Sequence, residues 1–215
     1  VLAREAELKK AEQCLYKLKN LPVQGLIIAD PGILSLAAKI LPRLPIHLST
    51  QANTSNSASV RFWQDQGVRR VNLARELGCK ELRYICRNVS DMQLELFVHG
   101  AMCMAISGRC LMSAHLSNRS ANLGLCTHPC RYFYRPANIS LEEEKRRNKI
   151  TWEIEQENNF TNILAAEDLC LVKYLPWFCN MHINALKIEG RIKTSSYLAQ
   201  VLDVYRTALD DLSQG

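Results

Sequence analysis

The chain has 215 residues, 47% of them hydrophobic and 22% charged, with 27 Lys+Arg against 21 Asp+Glu and a formal net charge of +6. These values fit an ordinary globular protein with one good-sized core or two small ones, and they exclude a collagen, a disordered tail and a disulfide-dense mini-domain. No apolar run approaches the ~18 residues that a membrane span needs, and the positive balance suits anionic partners without naming one.

Leu2, Leu8, Ala11, Leu15 and Leu18 recur at helical spacing, which predicts a helix over 2–19 with Lys and Glu on its other face. Charges spread through this stretch lead us to expect no signal peptide, and the opening at Val1 leads us to expect a processed product or a fragment. A strand-like run then alternates with a helical one. Gly25–Asp30 precedes helical Leu34–Ile40, Ile46–Gln51 precedes Ala58–Gln66, and Val71–Arg75 precedes Cys79–Arg87. Leu94–His99, Ile163–Ala166 and Ala185–Ile188 read as further strands, and a last helix is expected from Ser195 to Leu212. Alternation at intervals of about 20–25 residues predicts a parallel α/β fold. The six strands fit a TIM-barrel-like domain lacking its first strands, and the rival open doubly wound sheet lacks a Gly-rich phosphate loop. The expected organisation is a partial barrel from 1–99 and 161–215, a cysteine-rich insertion at 100–135 and a charged, exposed excursion at 136–160 containing the run from Glu142 to Lys149.

Nine cysteines are the informative excess. An odd number cannot all pair within the chain, and with no export signal expected, the cytoplasm with reduced or metal-bound thiols is the default. The sequons at Asn53, Asn88, Asn118, Asn138 and Asn159 are then chance. Cys14, Cys79, Cys86 and Cys179 lie in helical or apolar stretches and read as small buried hydrophobes. Cys103, Cys110, Cys126 and Cys130 are different, flanked by Gly100, Gly108 and Gly124. Their spacing suits a zinc ribbon poorly. Four thiolates from separated loops can hold an iron–sulfur cluster, although spacing alone leaves this open.

The run Glu95-x-Phe97-x-x-Gly100-Ala101-Met102-Cys103-x4-Gly108-x-Cys110-x-Met112-Ser113 resembles the signature of the peptidase U32 family, the collagenase-like proteases. His47–Asn53, Leu73–Leu77, Cys126-Thr127-His128-Pro129-Cys130-Arg131, Asp168-Leu169-Cys170 and Lys187–Lys193 agree with it. The resemblance implies a TIM-barrel-like catalytic domain and, as in members that modify RNA or hydroxylate the ubiquinone ring, a [4Fe–4S] cluster. Carried over by position, its ligands are Cys103, Cys110, Cys126 and Cys170. Cys130 is an alternative to Cys126 or a neighbour of the cluster.

In a parallel barrel the working residues stand at the C-terminal strand ends. Those ends give Asp30, Gln51, Asn53, Arg75, Glu76, His99, Glu189 and Arg191, and Glu95 points inward to relay a proton with His99. Several have plainer readings: Gln51 and Asn53 as helix caps, His47 as a strand residue, Glu189 with Arg191 as an ion pair. Arg131, Tyr132, Tyr134 and Arg135 interleave cations and aromatics, a pattern that serves single-stranded RNA or a strand packed on the core. The closest branch by resemblance is the prephenate-dependent tRNA uridine hydroxylases, which implies an enzyme that hydroxylates C5 of a wobble uridine, with tRNA as partner and prephenate as co-substrate. The alternatives are a collagenase-like peptidase, with Cys103 and His99 as its nearest nucleophile and base, a ubiquinone-ring hydroxylase working with a protein partner, and a non-catalytic cluster scaffold. Neither membrane nor DNA is expected as a partner.

Overall fold

A computed structural model describes residues 3–103, 105–132, 156–157, 160–161, 168–191 and 193–214. The expected strand at 163–166 and the charged run 142–149 lie outside them, as do Tyr134 and Arg135.

The strand–helix alternation is as the sequence predicts. Helix α1 (Glu5–Leu18) precedes β1 (Leu26–Ile28), α2 (Pro31–Ile40), β2 (Ile46–Leu48), α3 (Ser57–Asp65), β3 (Arg70–Asn72), α4 (Cys79–Asn88) and the long β4 (Gln93–Ala101). Short α5 (Met112–Ser117), the two-residue strands β5 (Gln156–Glu157) and β6 (Phe160–Thr161), β7 (Asp168–Cys170), α6 (Leu175–Cys179), β8 (Ala185–Ile188) and α7 (Ser195–Gln214) follow. Local chemistry starts the helices. Asp30 Oδ1 accepts from Ile33 N at 2.9 Å with Pro31 next to it, and Asn56 Oδ1 accepts from Ser59 N at 2.8 Å. Asn56 is therefore the cap of α3, whereas Asn53 adopts a left-handed turn (φ 53°).

Strands β1, β2, β3 and β4 run parallel in that order, and β8 adds parallel to the far edge of β4. Among the described residues the sheet is open, with β1 pairing only with β2 and β8 only with β4. Register fixes which side chains share a face. Leu48, Val71, Leu94 and Leu96 face the helices and are almost wholly buried, each contributing about 1.5–3 kcal/mol of apolar burial. The opposite face carries Ile27, His47, Arg70, Asn72, Glu95, Phe97 and Lys187. This alternation leaves one greasy face for the core and one charged face.

A register shift between Phe97 and His99 turns the end of β4 over. His99 pairs with Ile188 of β8 on one edge and with Cys170 of antiparallel β7 on the other. Helix α7 then clamps this junction through Tyr205, whose hydroxyl donates to Val98 O (2.7 Å) and accepts from Leu171 N (3.1 Å). Among the described residues no helix is long and apolar enough to cross a membrane.

Candidate functional site

The cysteine loop leaves β4 after Ala101 and is pinned from several directions. Arg75, just beyond β3, reaches across to it. Its Nε and Nη2 donate to Ser107 Oγ (3.0 and 2.6 Å), Nη1 to Ala101 O (2.8 Å) and Nη2 to Cys103 Sγ (3.2 Å), and its guanidinium lies 4.9 Å from the Phe97 ring centre. Ser113 on α5 ties down the next turn, its Oγ accepting from Thr127 N at 3.0 Å. Arg191 Nη1 donates to Gly124 O (3.0 Å), and His128 N donates to Cys126 Sγ (3.4 Å). Positive φ at Gly100, Gly108, Gly124 and His128 marks where the loop turns.

Four thiols gather in this loop. Burial pushes the Cys130 thiol up, nearby Arg131 pulls it down, and the charges of Cys126, Cys103 and Cys110 push it up again. Each of the other three sulfurs is therefore within electrostatic reach of Cys130, and the loop folds back on itself where Arg131 Nη2 donates to Met102 O (3.1 Å) and Thr127 N to Ser113 Oγ. Among the described residues no three His, Cys, Asp or Glu side chains stand close enough to grip a single metal ion. A four-iron cluster binds each thiolate to a separate iron and spaces its ligands more widely, so soft donors gathered this loosely fit it in kind. Cys170 is placed differently, across β4 beside Tyr205, whose phenol is pushed up to about 12, chiefly by burial, with Cys170 contributing. Of the four cysteines expected to be buried hydrophobes, only Cys86 is buried. Cys14, Cys79 and Cys179 are exposed, because each falls on the outward side of its helix or at a helix end.

Glu95 and His99 do not meet. Strict alternation would put both on the charged face, but the shift after Phe97 sends the His99 ring to the helix side. There its Nε2 lies 2.9 Å from Tyr197 Oη, and the ring stands edge-on to Tyr205. Tyr197 in turn donates to Asp168 Oδ2 at 3.2 Å. Burial works to raise Asp168, but the hydrogen bond and charge of Lys193, with Arg131, hold it below the usual carboxylate range. Glu95, on the other side, accepts from Lys187 Nζ (2.6 Å) and Asn72 Nδ2 (2.8 Å), with Arg70 at 3.6 Å. The expected Glu189–Arg191 ion pair is replaced by other contacts. Glu189 Oε1 accepts from Arg191 N (3.0 Å), and its Oε2 is buried with no partner. Glu76 is exposed, and Gln51 lies against Gly108. Asp30 does structural work as a cap.

Arg131 turns inward, its Nη2 donating to Met102 O (3.1 Å) and facing Asp168 Oδ1 at 3.4 Å. Tyr132 is exposed. Sequence reading missed Asp168, Lys193 and Tyr197, and took the α7 stripe wholly for packing. It also missed Asn72, Arg70 and Lys187 around Glu95. A signal existed for the second group, since polar residues alternating within β3 and β8 mark a charged face.

Burial, the leading cause in both, lowers the pKa of His47 and of His99 below the ordinary 6.5. Each therefore stays neutral in the folded chain where the unfolded chain takes up a proton. Stability from this source is complete above pH 6.5 and declines as pH falls below it. Urea midpoints are expected to drop between pH 7.5 and 5.5, and to drop less in His99→Phe. An equal drop in that variant would remove His99 from the explanation.

The description "Peptidase family U32" belongs to the family model that matches residues 1–215. The tRNA hydroxylation protein P of Helicobacter pylori (strain J99) is 41% identical over 208 residues, covering 96% of this chain and 48% of that protein. The Escherichia coli protein of the same name is 35% identical over 249 residues, covering 100% of this chain and 55% of its own length. The chain thus spans about half the length of these curated relatives. A solved structure titled "The Structure of the U32 Peptidase Mk0906" matches with TM-score 0.39 and 21% identity, over 47% of this chain and 41% of that one. With every residue from 1 to 215 matched by the family model, the chain belongs to peptidase family U32.

Proposed function

We propose that the chain carries the cluster-binding core of an RNA-hydroxylating enzyme that replaces the C5 hydrogen of a tRNA uridine with a hydroxyl, using prephenate as co-substrate. The observation that carries this reading is the loop after β4, which bears Cys103, Cys110, Cys126 and Cys130, with Cys130 in electrostatic reach of the other three thiols. The Arg131–Met102, Thr127–Ser113 and Arg75–Cys103 hydrogen bonds fold this loop back on itself. Names of relatives at 41% and 35% identity supply the substrate class. Cys103, Cys110 and Cys126 would hold a [4Fe–4S] cluster. Because Cys170 stands on β7 opposite His99, outside the loop, Cys130 competes with Cys170 for the fourth place and not with Cys126 as the resemblance implies. Such a cluster, when bound, supplies electron transfer or an organising Lewis acid.

The chain's own residues do the rest. Lys187, Asn72 and Arg70 hold the Glu95 carboxyl group in one orientation on the sheet face. The His99–Tyr197–Asp168 series links β4, α7 and β7 by hydrogen bonds along which a proton can pass. Arg75 and Arg191 fix the loop against β4 and β8. The arc of parallel strands belongs, on this reading, to a TIM-like barrel whose mouth bears the cysteine loop.

The family name favours a second reading, peptide hydrolysis with Cys103 as nucleophile. That chemistry needs a thiol hydrogen-bonded to a base. Cys103 Sγ accepts from Arg75, and the Nε2 of His99 is engaged by Tyr197. Nucleoside analysis separates the two. tRNA from a deletion strain is expected to lose its 5-hydroxyuridine-derived nucleosides, to regain them with the wild-type gene and not with Cys103→Ser. An unchanged nucleoside profile beside peptide cleavage by the purified protein would reverse the choice.

A further inference from the structure

We propose that Arg75 is a positioning residue whose N–H···S hydrogen bond to Cys103 raises the reduction potential of the cluster. This rests on the cluster reading above and adds a specific task for one side chain.

Arg75 is held too firmly to be a passing contact. Its backbone follows Leu73 and Ala74, both buried, whose amides donate to Glu95 O and Thr54 O at 2.9 Å. The side chain extends over the Phe97 face, and all three guanidinium nitrogens have partners in the loop. The anchor is Ser107, 2% exposed, whose Oγ accepts from both Nε and Nη2. That leaves Nη2 aimed at Cys103 Sγ by geometry that a flexible ammonium could not reproduce.

Electrostatics gives this contact a direction. Adding one electron places negative charge on the cluster and its thiolates, and a cationic donor on a ligand sulfur stabilises the reduced form more than the oxidised one. Hydrogen bonds to the sulfurs are a recognised determinant of such potentials. The rival reading is that Arg75 only staples the loop through Ala101 O and Ser107. A staple affects cluster retention, whereas a donor to sulfur also moves the potential.

The test uses the full chain, loaded anaerobically with iron and sulfide and titrated with dithionite while the reduced signal is followed by electron paramagnetic resonance. In Arg75→Gln the one-electron equilibrium is expected to shift about tenfold toward the oxidised form, a fall of about 59 mV. Arg75→Lys, which keeps the charge and loses the fork, is expected to fall between. Should Arg75→Gln hold no cluster, Ser107→Ala provides the same reading, with a smaller fall in the same direction. Normal iron and sulfide content with an unmoved midpoint in these variants overturns the proposal alone. A wild-type chain that takes up no iron and sulfide overturns the cluster reading and this proposal with it.

Discussion

Gly100→Ala is expected to destabilise the chain by roughly 2–6 kcal/mol, the sum of a strained backbone and an overpacked contact. Gly100 has φ +106°, a region that side chains with a Cβ rarely adopt. A Cβ built there would run into Glu189 O, with the carbonyl carbon and Glu189 Cβ both at 3.0 Å. The neighbour is backbone, held by Glu189 N donating to His99 O at 2.9 Å, so it cannot swing aside as a flexible side chain would. The collision therefore forces β8 away from β4 at the point where the cysteine loop begins. Urea unfolding followed by circular dichroism measures the loss. Gly67→Ala is the companion: it shares the positive φ but has nothing within 4 Å of its Cβ, so it should incur only the backbone part. Equal losses in the two variants would remove the close approach of Glu189 as the cause.

Much of this architecture was legible in the residues, and the failures have physical reasons. Apolar runs at 26–28, 46–48 and 94–98 became strands because alternating Leu, Ile and Val find a buried face every second residue. Asp30-Pro31 starts α2 three residues before the expected Leu34 through local cap chemistry, whereas the sequence reading places Asp30 among the site residues instead. The shift after Phe97 was not readable. One displaced residue reverses a side chain's face, and no feature of Phe97-Val98-His99 states it. That single event separated Glu95 from His99 and gave His99 to Tyr197. Long-range polar partners were equally hidden. Lys187 and Glu95 lie far apart in the chain, and only the β4–β8 register brings them to 2.6 Å. The cysteine motif was visible as a motif, while the role of Arg75 as its anchor needed the third dimension.

The same loop gives the second large effect. Cys103→Ser is expected to abolish iron and acid-labile sulfide binding, because a serine oxygen is a harder ligand than thiolate for this iron. Cys110→Ser and Cys126→Ser should behave alike, and comparing Cys130→Ser with Cys170→Ser identifies the fourth thiolate. Cys14→Ser and Cys179→Ser, at exposed positions on α1 and α6, should leave binding untouched.

Iron and sulfide per chain, assayed after anaerobic purification, is the most direct single measurement. About four of each in the wild type and in Cys14→Ser, with none in Cys103→Ser, is the expected result. Wild-type protein free of both, or a Cys103→Ser variant that keeps them, would contradict a cluster held by the loop at the end of β4.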